Sequence, residues 1–133
     1  MEMIGAIAKG IGQIVLKKSQ KEYTQCHHIA QDGYQELTGM PLEMLLSLPE
    51  ESIFDFMSTF GALEPEKVLV LAELLQTDAQ VFLDEGEAPM GEAVLEKCRS
   101  LLEALKKHPL SEEQSEALAA GLAELAHIQG AAL

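Results

Sequence analysis

The sequence predicts an all-α chain built from antiparallel helical hairpins, and three observations predict it. Apolar residues recur at spacings of three and four through most of the length, the period of one helix face. Prolines and glycines fall where helices open and close, and no strand-like alternation bounded by turn signals occurs. The composition is 47% hydrophobic with only 5% aromatic residues and no Trp, so Leu, Ala, Ile, Val and Met fill the interior. That composition suits helix-on-helix packing. At 133 residues the chain is one domain, divided into a hairpin over 1–39, a short-helix segment over 40–61, a hairpin over 64–108 and a C-terminal helix over 110–128. The fold class is thus about five main helices with short helical pieces at 41–60.

The opening stretch MEMIGAIAKGIGQIVLKK sets Ile4, Ile7, Ile11 and Ile14 at the a/d spacing of a helix packing along one narrow seam. A signal peptide places its positive charge before the apolar core and a cleavage site after it; here the paired lysines follow the apolar residues. A membrane-surface helix carries a bulky aromatic or Leu face with a cationic back, which this stretch lacks. It reads as a packing helix whose seam meets helix two or a second subunit. In KEYTQCHHIAQDGYQELTG, Tyr23, His27, Ala30, Tyr34 and Leu37 share one helix face, and Gly39 ends that helix with Pro41 just beyond. The turn between the two helices falls around Ser19 and Gln20.

Two short helical pieces follow in MPLEMLLSLPEESIFDFMSTFG. Pro49 and the acids Glu50 and Glu51 suit a helix start, Ile53, Phe54, Met57 and Phe60 supply a core face, and Gly61 stops it. Pro65 opens a long helix with one stripe of Val68, Leu71, Ala72, Leu75, Ala79 and Phe82 and another of Val70, Leu74 and Val81. A helix apolar on two sides is the candidate central element. After Gly86, Pro89 starts a helix whose face is Met90, Val94, Cys98, Leu101 and Leu105. Ser111 and Gln114 form a capping box for the last helix, lined by Leu118, Leu122 and Leu125, and the tail QGAAL is expected to fray.

Both long hairpins resemble degenerate tetratricopeptide repeats, in which small residues of helices A and B pack together and a glycine lies near the turn. Ile11, Gly12 and Val15 would serve as helix A with Tyr23, Cys26 and Ala30 in helix B; Ala79, Phe82 and Gly86 would serve again with Ala93 and Val94. Cys26 and Ala93 are 67 residues apart, close to twice the repeat of about 34. More closely, ELTGMPLEMLLSLPEESIFDFM and EKVLVLAELLQTDAQVFLDEGE, with the N-terminal helix and the Tyr-containing start of helix B, resemble a family of uncharacterised, mostly Gram-positive bacterial proteins described as tetratricopeptide-like. The resemblance covers roughly residues 4–105. It implies a fold and carries no activity or catalytic residues with it.

Charge narrows the partners. The net charge is −13, and residues 41–133 hold all of it, with 18 acids against five bases. Such a surface repels nucleic acid and anionic lipid, and no apolar run is long enough to span a membrane. Two cysteines far apart read as free thiols, which places the chain in the cytoplasm.

The chemically suggestive triplet is Cys26-His27-His28. Adjacent helical residues splay by about 100°, so the three do not converge on one ion without Cys98, His108 or His127. The same splay argues against Cys26 as a nucleophile served by either histidine. Asp84, Glu85 and Glu87 around Gly86 lack the alternation of a calcium loop.

The functional expectation is a non-enzymatic protein–protein interaction or scaffold domain with no cofactor and no metal. Its partner is a protein or peptide, and it forms a homodimer through the seam of Ile4, Ile7, Ile11 and Ile14. The alternative is a small-molecule or metal-binding protein with a pocket between the hairpins near Tyr23, Cys26, His27 and Tyr34.

Overall fold

The isoleucines at three- and four-residue spacing lie on the first of seven helices in the computed structural model, which describes residues 2–132. Helix α1 spans Glu2–Ser19 and α2 Tyr23–Thr38. The short helices are α3, Leu42–Ser47, and α4, Glu50–Met57. The long ones that follow are α5, Pro65–Asp84, α6, Ala88–Leu105, and α7, Glu112–Ala132. Among the described residues the extended backbone pairing is confined to an isolated bridge between Thr59 and Ala62, so the chain is all-helical as the periodicity predicts. The tail expected to fray continues α7 to Ala132, while Leu133 lies outside the described residues.

The punctuation works through the backbone groups that a helix end leaves open. Gly39, in the left-handed region at φ 73°, donates its N–H to the Gln35 carbonyl and closes α2. Pro65 and Pro89 stand in the first turns of α5 and α6, where no N–H is needed. The Ser111 hydroxyl accepts from the Gln114 N–H at 3.0 Å and the Gln114 side chain accepts from the Ser111 N–H at 2.9 Å, a reciprocal cap for α7.

The long helices pack in an ordered way. Helix α1 lies along α2, and α5 lies along α6; α5 also packs against both α1 and α2, and α7 packs against both α5 and α6. Residues near the end of α1 meet the start of α2, as the Cys26 thiol donating to the Ile14 carbonyl at 3.5 Å shows. Ala72 on α5 likewise accepts from the Cys98 thiol on α6 at 3.1 Å. Helix α5 is buried on nearly every side, with Val68, Leu71, Ala72, Leu74, Leu75, Thr77, Asp78, Ala79 and Val81 all buried. It is the axis of the core.

The short helices cover one side. Helix α4 packs on α2, α5 and α6, and α3 packs on α6. Lys97 of α6 fastens them: its ammonium donates to the Leu48 carbonyl at 2.7 Å and to Glu50 at 3.0 Å, capping the α3–α4 junction.

Three expectations change. The isoleucine seam closes largely inside the chain, with Ile7 and Ile14 buried in the core and Ile4 and Ile11 half-covered, because α2 and α5 both reach α1. Phe60 is fully exposed: α4 ends at Met57, and a tight turn with Phe60 at φ 53° and Gly61 at φ 79° puts the ring at its tip. Met90 is also exposed, one residue after Pro89 in the opening turn of α6, while Val94, Cys98, Leu101 and Leu105 are buried as expected.

Glycine permits the closest approach between α5 and α6. A Cβ on Gly91 would stand 2.8 Å from Leu83 side-chain carbons and 3.1 Å from the Ala79 carbonyl oxygen. Alanine at a helix interior gains about 1 kcal/mol in propensity, but overpacking costs about 1–3 kcal/mol. Gly91→Ala is therefore expected to lower unfolding stability by about 1 kcal/mol. Gly12→Ala, where a Cβ meets nothing within 4 Å, is expected to raise it by about 0.5–1 kcal/mol. Urea titrations of the two variants check the opposite signs.

Candidate functional site

The face of α2 that carries Tyr23, His27 and Tyr34 is bonded to the C-terminal half of α5 and its C-cap. Spacings of four and seven residues put the three side chains on one stripe, and the facing end of α5 supplies Asp78, Phe82 and Asp84, with Glu85 at its C-cap. His27 Nδ1 meets Asp78 Oδ1 at 2.7 Å and its Nε2 meets Glu85 Oε1 at 2.5 Å. Tyr34 donates to Asp78 Oδ2 at 2.7 Å, and Tyr23 donates to Asp84 Oδ2 at 2.8 Å. The imidazole also stacks on Phe82 with centroids 4.2 Å apart. Asp78 is 1% exposed, so both of its oxygens depend on these partners.

Both ring nitrogens of His27 face carboxylate oxygens. Only the imidazolium carries two hydrogens to donate, so the geometry calls for the charged ring. The Asp78 hydrogen bond is the main cause that raises the His27 pKa from 6.5 to about 8; partial burial opposes it, and the Glu85 hydrogen bond adds to it. Burial and then the Asp78 charge push the Tyr34 phenol well above its ordinary range, which keeps it a donor. The Tyr23 phenol is raised by its bond to Asp84.

Cys26 points elsewhere, toward α1, where it donates to the Ile14 carbonyl, and burial raises its pKa. It and His27 therefore diverge, as adjacent helical residues do. Burial pushes the Cys98 thiol up to about 12. His108 packs edge-on against Phe54 and His127 is exposed on α7, so neither approaches Cys26. Among the described residues no group of three or more His, Cys, Asp or Glu side chains is placed to hold a metal ion. No helix among them is long and apolar enough to cross a membrane.

Open recesses lie elsewhere: one between α1 and α2 over Leu74, and two along the seam of α5 with α7. One recess of about 490 Å³ is lined by Leu69, Val70, Glu73 and Gln76 of α5, Leu102 of α6, and Ala117, Gly121 and Glu124 of α7. A second, of about 350 Å³, continues it past Leu69, Val70 and Ala117 toward Ile4, Glu66, Ser111 and Glu113. The two share three residues and form one groove. Of the isoleucines predicted for an interface, only Ile4 reaches it.

The His27 seam makes stability depend on pH. A folded-state pKa raised above 6.5 gives stabilisation that is fully present below pH 6.5 and lost as pH rises through about 8. The ring is 25% exposed, and the shift sets a ceiling of about 2 kcal/mol. The stability gap between the native protein and His27→Gln is expected to shrink by about 1–2 kcal/mol between pH 6 and pH 9. Denaturant titrations at the two pH values measure it.

Set beside known proteins, the chain matches no family model, none of the curated proteins and none of the solved structures.

Proposed function

We propose that this chain is a non-enzymatic, tetratricopeptide-like interaction domain that holds a segment of a protein partner on the face shared by α1, α5 and α7. The observation that carries the reading is the order of helix contacts. Helix α5 packs on both members of the pair before it, and α7 packs on both members of the next pair. That is how stacked helical hairpins bury their faces, each unit touching its neighbour. In this reading α1, α5 and α7 are the first helices of successive units, and α2 and α6 are the second.

The short helices α3 and α4 sit against α2 and α6 and leave the α5–α7 groove open. The two buried, free cysteines suit the reducing cytoplasm expected for the chain. A second copy is not needed for this activity, since Ile7 and Ile14 already pack inside. A small-molecule or metal site near Tyr23, His27 and Tyr34 gains no support, because all three already bond to α5 carboxylates.

A photo-reactive residue at Ala117, in the groove, is compared with one at Ala93, on the exposed side of α6, in lysate of the cells that make the protein. Discrete protein adducts are expected from position 117 and not from 93. Equal adducts from both, or none from either, would remove the groove as the working surface.

A further inference from the structure

We infer that the occupant of the α5–α7 groove is a basic amphipathic helix, one that lays an apolar stripe on Leu69 and Val70 and turns Lys or Arg toward the rim. The inference rests on the interaction-domain reading and specifies the partner's chemistry.

The floor is apolar: Leu69 and Val70 are half-buried, and Ala72 and Leu102 lie beneath them. The rim is acidic, with exposed Glu66 and Glu73 along α5 and exposed Glu113 and Glu124 along α7. Among the described residues no Lys or Arg lines either recess. Lys67, the one base on α5, pairs with Glu64 at 3.0 Å, and α7 contains neither Lys nor Arg. Carboxylates flanking an apolar floor, with no counter-charge of their own, are complementary to a cationic partner.

The shape selects a helix. The lining runs from Glu66 to Gln76 on α5, a rise of about 15 Å, which suits a few turns lying lengthwise. Ala117, Ala120 and Gly121 keep the α7 wall low enough for close approach. An extended peptide would bring unpaired N–H and C=O groups over a floor of helices whose backbones are already bonded internally; a helix brings none.

Charge also chooses between a foreign partner and a second copy. The chain carries −13 in all, so two copies repel while a polycation is drawn in.

The probe is a synthetic amphipathic peptide about 18 residues long, long enough to show helicity, with Leu on one face, Lys on the other and a fluorescent label. Two controls replace its Lys by Glu or its Leu by Ser. Anisotropy is measured against the native chain, against Glu73→Lys/Glu124→Lys, and against Glu43→Lys/Glu51→Lys. The last alters the same charge on exposed residues of α3 and α4, and circular dichroism verifies that each variant is folded.

The Lys/Leu peptide is expected to bind the native chain, to lose about tenfold in affinity to the groove variant, and to stay within about twofold for the α3–α4 variant. Equal loss in both variants, or equal binding by the Lys/Ser peptide, overturns the inference by reducing the attraction to net charge. If the Glu/Leu peptide binds instead and Val70→Asp abolishes that binding, the groove reading stands and the basic partner falls. If no peptide engages the groove, both fall.

Discussion

The Asp78 carboxylate is the constraint on which the stack depends. It is buried on the most enclosed helix, and its hydrogen-bond partners, Tyr34 and His27, both come from α2. A buried charge that loses its partner costs several kcal/mol, so α2 and α5 are tied together in one register. Sliding either helix by one turn moves it about 5.4 Å and separates every pair at once: Tyr34 from Asp78, His27 from Asp78 and Glu85, and Tyr23 from Asp84. Apolar ridges alone tolerate such slippage far better than this set of directed bonds. The first helix then follows the second, through Cys26 on Ile14, and α6 follows α5, through Cys98 on Ala72.

Enclosing α5 also decides which part of that helix is left open to solvent. A helix that packs against α1, α2, α4, α6 and α7 has one stripe left for solvent, and that stripe holds Glu66, Leu69, Val70, Glu73 and Gln76. The α3–α4 segment, held by Lys97 at the Leu48 carbonyl, closes the other side over α2 and α6. The open face is thus what remains after the core has been satisfied from every other direction. It is also where α7, the most evenly apolar helix, offers alanine and glycine in place of larger side chains.

Helix periodicity made the fold legible. The isoleucine and Leu/Ala spacings, Pro65 and Pro89 at helix starts, Gly39 at a helix end and the Ser111–Gln114 cap all act within a few residues, and each lies where the local chemistry puts it. Phe60 was not legible, because its spacing from Met57 fits a helix that in fact stops before it. The stripe of Tyr23, His27 and Tyr34 was readable as one helix face, but not as one facing Asp78, a contact 44 to 51 residues away in sequence. A signal was present: Asp78 stands among Leu74, Leu75, Ala79, Val81 and Phe82 on a helix apolar on two sides, and a lone acid among core residues calls for a donor from another helix. The groove left no comparable trace, since it arises between α5 and α7 only after both have packed on α6.

Acidic residues therefore do two different things on the same helix. At about 100° per residue, Asp78 and the C-cap residue Glu85 lie about a third of a turn around α5 from Glu66 and Glu73. On the Asp78 side the charges meet an imidazolium and the Tyr34 phenol, and together they fix the packing. Along Glu66 and Glu73 no Lys or Arg among the described residues lines the groove, although a single Lys on α7 facing Glu73 would lower the repulsion along the rim. A purely structural surface gains from mixing the two signs of charge. An apolar floor edged only by carboxylates forgoes that gain, and in the proposed reading a cationic helix supplies the missing counter-charge.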